Sequence, residues 1–109
     1  MTWTVEAGDV STYAYNISGK IMRVIFYITT TTVGGTPSFS LNIKIPGGKT
    51  NTKVIDIPIH IIDNGTRAIG VANLPAGSTT IVCYKVDLSS WTASTNLTRV
   101  SGSLTFEIN

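Results

Sequence analysis

The stretch Ile55-Asp56-Ile57-Pro58-Ile59-His60-Ile61-Ile62-Asp63-Asn64-Gly65-Thr66 decides the fold class. Isoleucine recurs at every second position from Ile55 to Ile61, against Asp56, Pro58 and His60. A period of two sends alternate side chains to opposite faces of a strand, so one face is apolar and the other is wet. Asn64-Gly65 follows at once. This pair is a strong hairpin signal, because both central residues of a type I′ turn need positive φ. Pro58 lacks an N–H, which makes the strand an edge there or marks a bulge.

The same alternation extends outward in both directions. Phe39, Leu41, Ile43 and Ile45 alternate with Ser38, Ser40, Asn42 and Lys44, and Phe39 reads as core along with Phe26 and Phe106. Leu104, Phe106 and Ile108 alternate with Ser103, Thr105 and Glu107. Segment 20–32 is long and β-branched. Met22, Val24, Phe26 and Ile28 form one face, and Ile21, Arg23, Ile25 and Tyr27 the other. Both faces are partly apolar, so this strand is either central or meets a neighbouring chain. Ser18-Gly19, Val33-Gly34-Gly35-Thr36-Pro37, Pro46-Gly47-Gly48 and Leu74-Pro75-Ala76-Gly77-Ser78 punctuate the runs as turns. The one long connection is 87–99. No window carries a helical period, and the Thr-rich runs oppose helix. The pattern predicts about eight strands, near residues 2–6, 12–18, 20–32, 38–46, 52–62, 66–74, 79–87 and 99–108. The expected fold is an all-β, antiparallel, jelly-roll-like β-sandwich in one domain, 1–109.

Composition narrows the function. The chain of 109 residues is 42% hydrophobic and 13% charged, where soluble domains average about 25% charged. Its 17 Thr and 10 Ser supply the missing polarity as hydroxyls. Ile, Val and Phe are too plentiful for a disordered chain. No apolar run approaches the ~20 residues of a membrane helix, so no membrane insertion is expected. Eight Lys and Arg against six Asp and Glu give +2 without clustering in sequence, which predicts no nucleic-acid partner. The lone Cys83 cannot form an intrachain disulfide and reads as a small hydrophobe in a strand. Met1–Glu6 has no basic or apolar leader character, which predicts no signal peptide. The three N-x-S/T sequons, at Asn16, Asn64 and Asn96, are no surprise in a chain this rich in Asn, Ser and Thr.

No catalytic, cofactor or metal constellation is legible, and a non-enzyme is expected. The six carboxylates Glu6, Asp9, Asp56, Asp63, Asp87 and Glu107 show no paired or metal-ligand spacing. No phosphate loop or nucleophile elbow occurs. Four residues are candidates for ligand or partner contact. Trp91, in a polar Ser/Thr loop, is either a plug at one end of the fold or a stacking surface for a sugar or a partner. Tyr13 and Tyr15 share one face of a strand and either meet a neighbouring subunit or simply pack. His60 is either a surface or interface histidine, or a ligand shared between chains about a symmetry axis.

Several motifs together resemble the small β-sandwich modules of bacteriophage virions, at tail-fibre tips, in baseplates and as decoration proteins. They are Trp3-Thr4-Val5, Tyr13-x-Tyr15, Gly19-Lys20-x-Met22-x-Val24-x-Phe26-x-Ile28, Thr36-Pro37-Ser38-Phe39-Ser40-Leu41, Ile43-Lys44-Ile45-Pro46 and Ser101-Gly102-Ser103-Leu104-Thr105-Phe106-Glu107-Ile108. The resemblance implies a homotrimer located in the virion, bound to other virion proteins and to a host-surface glycan or protein, with no catalysis and no cofactor. The most direct reading is a receptor-binding tip for host attachment. The alternatives are a capsid decoration protein and a free-standing carbohydrate-binding module with Trp91 as its platform. The resemblance carries over no binding residue. The chain also departs from fibre tips with paired His-x-His metal sites, having His60 alone.

Overall fold

The computed structural model describes residues 1–108. Eight strands form: β1 (Thr2–Thr4), β2 (Val10–Ser18), β3 (Ile21–Gly34), β4 (Ser40–Lys44), β5 (Ile55–Asp63), β6 (Thr66–Leu74), β7 (Thr80–Lys85) and β8 (Ser94–Glu107). Single 3-10 turns lie at Ala7–Asp9 and Pro46–Gly48, and there is no α-helix among the described residues. The strands join in one connected antiparallel sheet of order β1-β3-β8-β5-β6-β7-β4, with β2 also on β3. The expectation of an all-β antiparallel fold of about eight strands is met.

The strand with two apolar faces is central. β2 pairs with β3 from Ser18↔Ile21 to Val10↔Ile28, and β1 pairs with its far end at Trp3↔Val33. β8 runs along the other side of β3 from Ile21↔Glu107 to Val33↔Ser94. At 14 residues each, β3 and β8 set the 40 Å long axis of the molecule. β8 starts before the expected position 99. The ladder slips around Thr31, and Asn96 has a positive φ of 57°. These irregularities erase the alternation by which a strand is recognised.

Met22, Val24, Phe26 and Ile28 of β3 point inward. They meet Val100, Leu104 and Phe106 of β8, Ile59 and Ile61 of β5, and Leu41 and Ile43 of β4 in a single buried cluster. Burying a large aliphatic or aromatic side chain contributes ~1.5–3 kcal/mol, so this cluster is the main source of stability. Phe39 departs from the expectation. It sits ahead of β4, is 50% exposed, and tilts against Tyr84 at 6.2 Å between ring centroids.

β5 meets β8 through only three pairs, His60↔Ser101, Ile61↔Val100 and Ile62↔Arg99. This corner divides the sheet into a β1/β2-β3-β8 half and a β5-β6-β7-β4 half. Pro58 lies beyond the end of that ladder, where β5 has no partner on its β8 side, in keeping with the edge reading. In the second half β5, β6 and β7 are successive neighbours and β4 lies beside β7, which makes a Greek key. The Asn64-Gly65 turn has the positive φ values, 48° and 79°, that its hairpin requires. The two sheet edges curl toward each other. The Tyr13 hydroxyl on β2 donates to the Lys44 carbonyl on β4, so the sheet is nearly a closed barrel.

Candidate functional site

Tyr13 and Tyr15 lie opposite Phe26 and Val24, so they share the inward face, but at the free edge of the sheet. They remain 43% and 51% exposed. Besides the Tyr13 bond to Lys44, the Tyr15 hydroxyl sits where a Cβ on Gly47 would come within 3.5 Å. Partial burial holds the Tyr13 phenol above its usual pKa. The pair spans the gap between β2 and the chain after β4.

Trp91 lies inside the protein, 1% exposed within the core cluster. Its backbone N–H donates to the Ser38 carbonyl at 3.0 Å, while its buried indole Nε1 has no partner among the described residues. A ring held there presents no face to a sugar, so the stacking-surface expectation gives way to the packing one. The loop that carries it is fixed by Thr92. The Thr92 amide and hydroxyl donate to Asp63 at 2.8 and 2.9 Å, and Asp63 also pairs with Lys85. The Ser/Thr surroundings that made Trp91 look exposed are the loop's outer side.

His60 projects from the opposite, outer face. Here the structure assembles a group that the sequence did not reveal. Arg99 Nη1 donates to the Tyr27 hydroxyl at 2.6 Å, and Arg99 Nη2 stands 3.0 Å from His60 Nδ1. An arginine can only donate, so Nδ1 accepts, and the neutral imidazole carries its proton on Nε2. The guanidinium carbon is also 5.1 Å from the Tyr27 ring centroid, within cation–π range. Ser101 donates to the His60 carbonyl at 3.3 Å. The cross-strand row Tyr27↔Ser101↔His60↔Ile69 carries the group across β3, β8, β5 and β6. Only the second apolar face of 20–32 foreshadowed it.

Nearby, Arg23 Nε donates to Ser103 Oγ at 3.3 Å. Ala14, Tyr15, Asn16, Arg23 and Ile25 line a shallow surface depression of about 300 Å³. Ile21, Ile25 and Tyr27 are 46%, 38% and 38% exposed.

The nucleophile and acid–base candidates do not come together. Cys83 points inward with Ala72 and Leu41 beside it, whereas His60 faces out. Burial pushes the Cys83 thiol up to about 12, so no thiolate is available near neutral pH. Asp63 and Asp87 border one depression, but Asp63 is committed to Lys85 and Thr92. The Ser89 hydroxyl and amide hold the Asp87 carboxyl below its usual pKa. Among the described residues no group of three or more His, Cys, Asp or Glu is placed to hold a metal. In comparisons with known proteins, no family model, curated protein or solved structure matches the chain.

Proposed function

We propose that this chain is a non-enzymatic bacteriophage virion protein, a homotrimeric tail-fibre or receptor-binding tip module that attaches the particle to its host. The observation that carries the proposal is the uncovered outer face of β3, where Ile21, Ile25 and Tyr27 stay exposed in the middle of the sheet beside Arg23 and Arg99. The outer face of a strand in an antiparallel two-layer fold is ordinarily polar. Apolar and arginine side chains left open together suit a surface that meets a partner. Short hydroxyl side chains around it lose little rotamer entropy on contact.

The finer architecture belongs to the same proposal. The two four-stranded halves, hinged at the short β5–β8 corner, stack as the layers of a sandwich. The Greek key of β4 to β7 supports the jelly-roll-like reading, since jelly rolls are built from Greek keys.

Sedimentation of the purified chain, together with its binding to a panel of bacterial cells, tests the function. A trimer that adheres to a subset of cells supports attachment. A monomer at high concentration that adheres to none overturns it. Binding to capsids with no adhesion to cells transfers the reading to the decoration protein.

A further inference from the structure

We propose that the outer face of β3, β8, β5 and β6 is a binding site for a linear acidic polysaccharide. The inference rests on the attachment reading and names the ligand for the same face.

Arg23, Arg67 and Arg99 are the chain's only arginines. They are far apart in sequence, and the fold turns all three to the outer surface of the sheet, Arg23 and Arg99 on the β3–β8 half and Arg67 just across the β5–β8 corner. Arg23 lies opposite Thr105, while Arg67 and Arg99 flank Ile62 in a single cross-strand row. Their inward-pointing neighbours Met22, Val24, Ile61 and Val100 are buried, so the arginines point outward. At ~3.4 Å per residue and ~4.8 Å between strands, the path from Arg23 to Arg67 along the curved outer surface of the sheet is about 25 Å. An extended polymer could follow it over several units.

Negative charge is held elsewhere or at the rim. Asp63 is paired with Lys85, and Asp9 accepts from Thr30 Oγ1 at 2.8 Å. Asp87 is folded onto Ser89. Asp56 and Glu107 face outward near the sheet's margin and are engaged by Asn73 and by Thr52. Arg99 is oriented by Tyr27 and His60, neither of which is an anion. Each of its Nη atoms keeps a second N–H, and such a fork matches a carboxylate or sulfate.

The rest of the face favours a sugar polymer. Ser101, Ser103 and Thr105 form a line of hydroxyls along β8, beside Tyr27 and Ile25 on β3. Three cations spread this widely suit a chain carrying a charge every unit or two. They fall short of the dense phosphate neutralisation that drives nucleic-acid binding. A second copy docked by the same face would set arginines against arginines.

The test is titration of the full chain with polygalacturonate, hyaluronan and dextran sulfate, with neutral dextran and single-stranded DNA as comparisons. At least one acidic polysaccharide should bind, about tenfold or more tighter than dextran, and should weaken as salt rises. Arg23→Gln and Arg67→Gln, both at exposed positions, should each weaken binding severalfold with unchanged melting. Arg99→Gln should weaken it most. Failure of all three polysaccharides, indifference to the Arg23→Gln/Arg67→Gln double variant, or tighter binding of DNA overturns the proposal. If the polysaccharides fail while the trimer still adheres to cells, the ligand class falls and attachment stands. If they bind through the arginines but no cell is bound, attachment falls and the site stands.

Discussion

Gly102 of β8 lies flush beneath Ile59 of β5, so close that a Cβ built on Gly102 would sit 2.6 Å from Ile59 Cγ2 and 3.4 Å from the Phe26 ring. The contact is at the three-pair corner that joins the two halves of the sheet. The corner can close because position 102 has no side chain, and Ile59 takes the vacated space.

Gly102→Ala should therefore destabilise the fold by about 1–3 kcal/mol, the usual cost of forcing atoms into a packed core. Denaturant unfolding measures it. Ile59→Ala removes the opposing methyl, so the double variant should be less destabilised than the sum of the singles. Strict additivity would show that the contact is not the cause.

Trp91→Ala should cost about 3–5 kcal/mol, as expected for emptying a buried aromatic site. Trp91→Phe should cost clearly less, because it also removes an indole N–H that has no acceptor among the described residues. Neither should alter polysaccharide affinity in protein that remains folded. A specific loss of binding would put Trp91 back at the surface.

Asn51 is fully buried, and its Nδ2 donates to the carbonyls of Leu74 and Pro75 at 3.0 and 3.1 Å. Asn51→Ala leaves both acceptors without that donor and should lower stability by about 1–3 kcal/mol. Hydrogen exchange should quicken first at the Gly77 and Ser78 amides, which bond to the Asn51 and Pro75 carbonyls.

Cys83 gives a pH dependence. In the unfolded chain the thiol ionises near 9, while in the fold burial holds it to about 12. Between those values the folded state keeps a proton that the unfolded state has lost, so the stabilisation falls as pH rises. The loss is about 1.4 kcal/mol per pH unit. Below that window the contribution is complete. Comparing wild type with Cys83→Ala isolates it: the wild type should lose stability faster in alkali, and its thiol should resist a disulfide reagent until the protein unfolds.

The strands were legible wherever burial falls on one face, as in 38–46 and 52–62, because the side-chain period then writes itself into the residues. Phe39 misled because alternation extends upstream of the point where β4 begins, and the sequence does not mark the start. Trp91 misled for a related reason. Its polar neighbours point to solvent while the ring turns inward, and a loop has no period to announce that. The arginine face was illegible for a different cause. It depends on β8 lying between β3 and β5, a long-range pairing that no local signal encodes. His60 was noticed by its rarity, but Arg99, which bonds its ring, and Tyr27, which in turn accepts from Arg99, lie 39 and 33 residues away in the chain.

β1 pairs with one end of β3, at Thr2↔Gly34, and the last residues of β8 pair with the other, at Glu107↔Ile21. A pull applied through Thr2 and Glu107 would run lengthwise along β3. It would load the flanking ladders in shear, so that many bonds must yield together instead of peeling one at a time. Under the proposed attachment role, resistance to tension would then reside in the same long strand whose outer face is proposed to bind.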